Sequence, residues 1–185
     1  PSASATIYSD DHGQTWHPGK IAVPDEGDFG DPNETMITTL SDDRVMLVSR
    51  SVSQANRKLI TISTDGATDW SKPFFHDRLW EPVCMASIVA HPSQAGTLIF
   101  SNPHTLALDA AGDEIPAGRG PRRNLSIKLS RDDGKSWPIS KTLEHGPSAY
   151  SDLAVLPDGD VLCLYEGDQT IVAARFNLAW ILSAP

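Results

Sequence analysis

The sequence predicts an all-β chain of the propeller type, and three observations carry that expectation. Apolar residues alternate or run in short blocks bounded by Gly, Pro, Asp and Asn clusters, which is the pattern of strands and tight turns. A turn-like octapeptide recurs along the chain. A helical reading fails almost everywhere. Strands are expected over residues 6–9, 35–40, 44–50, 58–64, 85–91, 97–102, 124–130, 150–156, 160–166 and 170–177. Hairpin-like turns join several of them at 41–43, 92–96 and 157–159. The stretch 103–121 has no periodicity and reads as a long loop of the kind that is functional or disordered.

The octapeptide reads S-x-D-x-G-x-T-W at Ser9–Trp16 and, with Ser for Thr, at Ser130–Trp137. A degenerate copy with its Gly one place early spans Ser63–Trp70. Turn chemistry accounts for every position. The Asp accepts backbone N–H bonds as in an Asx-turn, the Gly supplies positive φ, and the Trp packs over a neighbouring strand. One such turn per four-stranded unit of roughly 40–50 residues is a propeller signature.

Composition bounds the function. The 185 residues fit one domain, with 24 acidic and 15 basic side chains and a net charge of −9. A negative surface repels phosphates and no long basic stripe is present, which argues against nucleic acid. No apolar run is long enough to span a membrane as a helix. Cys84 and Cys163 form no C-x-x-C, so zinc and thioredoxin-type readings fall away, and a disulfide or two core thiols stay open. The six histidines show no paired ligand spacing, no metal site is expected, and no cofactor is implied.

The octapeptides are Asp boxes, also called bacterial neuraminidase repeats, and with the following segments the chain resembles a bacterial-type exo-α-sialidase. Asp31-Pro32-Asn33-Glu34 precedes a strand ending Ser49-Arg50, with sixteen residues from Glu34 to Arg50. Arg122-Arg123-Asn124 precedes the last box. Ser148-Ala149-Tyr150-Ser151-Asp152-Leu153 and Leu164-Tyr165-Glu166 are similar to the family's A-Y-S-D-L and L-Y-E. The end of the chain, Arg175 to Trp180, is similar to the family's closing strand.

The resemblance implies a six-bladed β-propeller, of which residues 1–185 supply about the last three to four blades as the C-terminal portion of one sialidase domain. It implies a retaining exo-α-sialidase acting on terminal sialic acids of glycans or glycolipids. Such a sugar carries a carboxylate on its anomeric carbon, which calls for planar, permanently charged guanidinium donors. Arg50 and Arg122 match two of the family's three arginines, with Arg123 as the fallback for the second. A carboxylate nucleophile would meet like-charge repulsion at that carbon, and sialidases use a tyrosine instead. Tyr150 matches it, with Glu34 as the base that a phenol needs near neutrality. Glu166 matches a glutamate that orients an arginine of the triad. Met85 stands where many relatives carry a Gln toward the sugar's glycerol tail, and Asn102 is a weaker candidate for the cleft.

The first triad arginine and the acid/base aspartate have no match, so the site in these residues is expected to be incomplete. The 185 residues by themselves are expected to be inactive or nearly so, lacking the N-terminal blades of the same domain. Localisation is open, with a lean toward secretion, the periplasm or the cell surface that comes only from the family. The alternatives are a sialic-acid transferase and a non-catalytic Asp-box propeller that binds glycans or proteins. The non-catalytic propeller would lack the Tyr/Glu/Arg set.

Overall fold

A computed structural model describes residues 2–183. They form antiparallel meanders that follow one another along the chain. The first sheet pairs β1 (Ser4–Tyr8) with β2 (His17–Val23). The second runs β3 (Asn33–Thr39), β4 (Val45–Arg50), β5 (Arg57–Ser63), β6 (Phe74–Trp80). The third runs β7 (Ser87–Ala90), β8 (Leu98–Pro103), β9 (Arg123–Ser130), β10 (Ile139–Pro147). The fourth has β11 (Ser151–Val155), β12 (Val161–Glu166) and β13 (Ile171–Phe176). Strands β3, β7 and β11 lead their sheets and pack side by side. Hydroxyl contacts stitch sheets together, as between Ser4 and Thr35 (2.8 Å) and between Ser101 and Ser151 (2.8 Å).

The apolar runs exist because the middle sheets are covered on both faces. In β8, Leu98 and Phe100 join a core with Met46, Val48, Ile60 and Ile88 of the sheet before and its own. Ile99 points the other way, into a core with Leu125, Ile127, Leu153, Val161 and Tyr165. A strand buried on both sides shows no alternation, which is why 98–100 reads as a continuous apolar block. Cys84 and Cys163 are free, buried thiols, and burial pushes them up to about 11 and about 12. The pairing left open by the sequence is thus settled as two inert core thiols.

Each Asp box is the turn between the last two strands of a meander. In the first, Ser9 Oγ accepts from Gly13 N (2.8 Å) while Asp11 Oδ1 accepts from Thr15 N (2.8 Å). In the last, the same bonds join Gly134 N to Ser130 Oγ (2.9 Å) and Ser136 N to Asp132 Oδ1 (2.9 Å). Gly13 and Gly134 take φ of 84° and 77°, the left-handed backbone a side chain resists. The hydroxyl and N–H of Thr15 hold the Asp11 carboxyl down at about 2. The tryptophans differ in cover. Trp137 packs on Phe100 within the core it shares with Leu40 and Met46 of the preceding sheet. Trp16 is 59% exposed, because no sheet precedes β1 among the described residues.

Four elements differ from the sequence reading. Strands β2, β6 and β10 carry no clear alternation and are mostly exposed or half-buried, yet each is held by backbone pairing to the strand before its Asp box. The end of the chain is no strand beyond Phe176. Asn177 caps a short helix, α1 (Leu178–Leu182), by accepting from Trp180 N at 2.9 Å. The apolar run Leu-Ala-Trp-Ile-Leu is ambiguous by pattern alone, and the cap decides it. The architecture is all-β and resembles part of a sialidase propeller.

Candidate functional site

In these meanders the starts of the odd-numbered strands and the ends of the even-numbered ones, from β3 to β12, share one rim. Glu34 lies at the start of β3, Arg50 at the end of β4, Arg122 just before β9, Tyr150 just before β11 and Glu166 at the end of β12. The topology therefore collects on one rim residues that are up to 132 positions apart in sequence.

Local backbone then aims each group. Asn33 pairs with Arg50 and Thr35 with Ser49, so Glu34 is the extra residue of a β-bulge, with φ of 39°. A left-handed glutamate persists only where its surroundings over-determine it. Here the bulge turns the carboxylate onto two partners. Glu34 Oε1 accepts from the Tyr150 hydroxyl at 2.6 Å, and Oε2 accepts from Arg50 Nη1. Arg50 Nη1 also donates to the Tyr150 hydroxyl at 3.0 Å. Arg50 Nε is buried without a partner, and its Nη2 has no protein hydrogen bond among the described residues. The Arg122 guanidinium lies 5.2 Å from the centroid of the Tyr150 ring, in cation–π range, and its Nη2 donates to Val83 O at 2.9 Å.

Glu166 bonds to the tyrosine's own backbone. Its Oε2 accepts from the Tyr150 backbone N at 3.2 Å, and no arginine pairs with it among the described residues. Arg122 and Arg123 are both exposed, and of the two it is Arg122 whose guanidinium sits over the tyrosine ring. Asn102 is buried and donates to Trp80 O at 3.0 Å. Met85 faces the cleft: with Met36, Leu164 and Ile171 it lines an apolar cavity of about 260 Å³ that also touches Tyr150 and Glu166.

The electrostatics fix the resting proton on Tyr150 and the charge on Glu34. Partial burial works against the Glu34 charge. The bonds from Tyr150 and Arg50, with the fields of Arg50 and Arg122, outweigh it and hold the carboxyl below its ordinary value. The hydrogen bond to Glu34, then burial, push Tyr150 above the usual phenol value, against the pull of both arginines. Burial opposes the Arg50 charge too, but Glu34 more than restores it. The resting state is thus a phenol donating to a carboxylate, braced by a guanidinium.

Among known proteins, residues 2–163 match the BNR repeat-like domain family. The chain belongs to this family. Over 185 aligned residues this BNR domain is 35% identical to a sialidase of Micromonospora viridifaciens, covering 96% of the chain and 26% of that protein. A solved Hadza microbial sialidase, Hz136, superposes with a TM-score of 0.76 at 30% identity, over 95% of the chain and 32% of its own length. An intramolecular trans-sialidase of Ruminococcus gnavus shares the fold, with a TM-score of 0.74 at 21% identity over 97% of the chain and 39% of its own. The BNR domain described here thus spans about a quarter to two-fifths of these relatives.

Two residues of the BNR site were not legible in sequence. Lys58 and Glu81 are buried behind the arginines, and the only available sign was a lysine inside the apolar strand Arg57–Ser63.

Proposed function

We propose that this BNR domain carries part of the catalytic site of a retaining exo-α-sialidase. The observation that carries the reading is the Tyr150–Glu34–Arg50 constellation, with Arg122 over the tyrosine ring. Tyr150 Oη attacks the anomeric carbon and passes its proton to Glu34 across the 2.6 Å bond. Because the phenol is not ionised at rest, proton transfer accompanies attack, and the Arg50 N–H meets the charge developing on the phenol oxygen. Water then cleaves the tyrosyl–sugar bond, giving its proton to the conjugate base of the group that protonated the leaving oxygen, and Glu34 returns its proton to the Tyr150 phenol oxygen. Two inversions at one carbon give net retention. The proton for the departing glycosidic oxygen has to come from a general acid that is not one of these four groups.

Substrate selection follows from charge. A cluster of guanidinium groups attracts a carboxylate at contact range despite a net charge of −9. Arg50 uses Nη1 on Glu34 and Tyr150, and its Nη2 makes no protein hydrogen bond among the described residues. We place the residues as the C-terminal portion of a six-bladed domain whose other blades complete the arginine cluster. Terminal sialic acids of glycans and glycolipids are the substrates on this reading. A transferase variant would use the same four groups with a sugar hydroxyl in place of water.

The test is turnover of a fluorogenic α-sialoside by the protein expressed from its complete reading frame, with the released sugar followed by proton NMR. The α-anomer is expected first. Release of the β-anomer first, or no turnover of sialosides, would remove the assignment. A pH expectation accompanies it. The base must be ionised, and the Tyr150 and Arg50 bonds hold Glu34 below the ordinary carboxylate value, so its protonation should limit kcat/KM only at pH more acid than an ordinary glutamate would require. In an Arg50→Gln variant that acid limb should move up, because the cation that stabilises the carboxylate is gone. An unmoved limb would assign the ionisation to another group.

A further inference from the structure

Behind the arginines, Lys58 and Glu81 form an ion pair closed to solvent, with side chains 0% and 1% exposed and Nζ to Oε2 at 2.7 Å. Both oxygens of the carboxylate accept hydrogen bonds. Oε2 accepts from Lys58 Nζ and from Ser51 N (3.2 Å), and Oε1 accepts from Cys84 N (2.9 Å). Lys58 Nζ also donates to Cys84 O at 2.5 Å, so the pair grips Cys84 from both sides of its peptide unit. Glu81 is itself anchored, its N donating to Asn56 O at 2.9 Å.

These contacts end at the two arginines. Ser51 follows Arg50 directly. Cys84 follows Val83, whose carbonyl accepts from Arg122 Nη2 at 2.9 Å. Val83 has φ of 61°, a left-handed conformation that a β-branched residue strongly resists. The segment 81–84 would not hold that carbonyl in place unaided, and the grip on Cys84 is what holds it. The Glu81 charge also favours the Arg50 guanidinium. A buried ion pair is a poor device for stability, since apolar residues of similar volume commonly do as well. What an apolar pair cannot do is bond to Ser51 N, Cys84 N and Cys84 O.

We infer that Glu81, clamped by Lys58, is a positioning residue that sets the spacing of the Arg50 and Arg122 guanidinium groups for one carboxylate ligand. The inference rests on the reading of those arginines given under Proposed function. It predicts that the pair matters for recognising the carboxylate and little for the rest of the sugar.

The experiment compares N-acetylneuraminic acid with its methyl ester, which keeps the ring and loses the charge. Binding of both is measured by calorimetry on the protein from its complete reading frame. Glu81→Gln replaces one acceptor oxygen by a donor facing other donors. Lys58→Met/Glu81→Leu removes the pair without leaving a buried charge, and is expected to fold but melt below the wild type, because Ser51 N, Cys84 N and Cys84 O lose these partners. In both variants the preference for acid over ester should fall roughly ten-fold or more, the value of a charge-assisted hydrogen bond. Ester affinity should stay unchanged and KM should rise more than kcat falls. Wild-type preference in either folded variant would overturn the inference. An absence of preference in the wild type would instead overturn the reading of the arginines, and this inference with it.

Discussion

Tyr150→Phe, in the protein expressed from its complete reading frame, is expected to lower kcat for an α-sialoside roughly 10³-fold or more, the loss typical of a removed nucleophile. The substitution isolates the hydroxyl. Phenylalanine keeps the ring face over which the Arg122 guanidinium sits at 5.2 Å, and the Glu34–Arg50 ion pair remains. The fold should therefore be retained and KM should change little, because the carboxylate-binding groups are untouched. Steady-state kinetics beside a thermal melt reads both. A variant that folds and keeps most of its kcat would remove Tyr150 from the chemistry.

Glu34→Gln is expected to cost about 10²- to 10⁴-fold at neutral pH, the usual contribution of a positioned general base. It should also recover in a way that a merely damaged site would not. The bond to Glu34 is the main influence raising Tyr150, while Arg50 and Arg122 pull the phenol down. With Glu34 neutralised the arginines dominate and the phenol ionises at lower pH than in the wild type. Activity of the variant should then climb about ten-fold per pH unit as phenolate forms, until the lowered value is passed. A pH–rate profile, with an ultraviolet titration of the phenolate, checks this. A flat alkaline profile would mean that Glu34 is not the group taking the tyrosine proton.

The same electrostatic logic explains what the sequence shows and what it hides. Buried meander strands are visible in sequence because both faces, or one, need apolar side chains, as at Leu98–Phe100 or in the alternation of Val161, Cys163 and Tyr165. The strands after each Asp box are not, since His17–Val23, Phe74–Trp80 and Ile139–Pro147 expose much of their surface and owe their position to backbone pairing. Turn chemistry is legible at eight-residue range, so the boxes are read correctly down to the Asp11 and Asp132 acceptors.

Glu34, Arg50, Arg122 and Tyr150 stand out through the resemblance of their segments to the family's motifs, and the structure gathers them on one rim. The direction of Glu34 was hidden, because it depends on a bulge between Asn33 and Thr35 that no residue type announces. Glu166 illustrates the reverse. Its place in the chain fits the family, while its partner among the described residues is the Tyr150 backbone. Lys58 and Glu81 were hidden for a plainer reason. Burial of a charge depends on what lies 23 residues away, and a single strand pattern does not contain that.

The most direct measurement of the central claim is to trap the sugar on the protein. A sialoside with fluorine beside the anomeric carbon destabilises the oxocarbenium-like transition states and lets a covalent intermediate accumulate. Denaturation, proteolysis and fragment-ion mass spectrometry then locate the adduct. The account predicts one sialyl group on the Tyr150 phenol oxygen, absent from Tyr150→Phe. An adduct on Glu34, Glu166 or Tyr165, or continued turnover by Tyr150→Phe with no adduct, would contradict it.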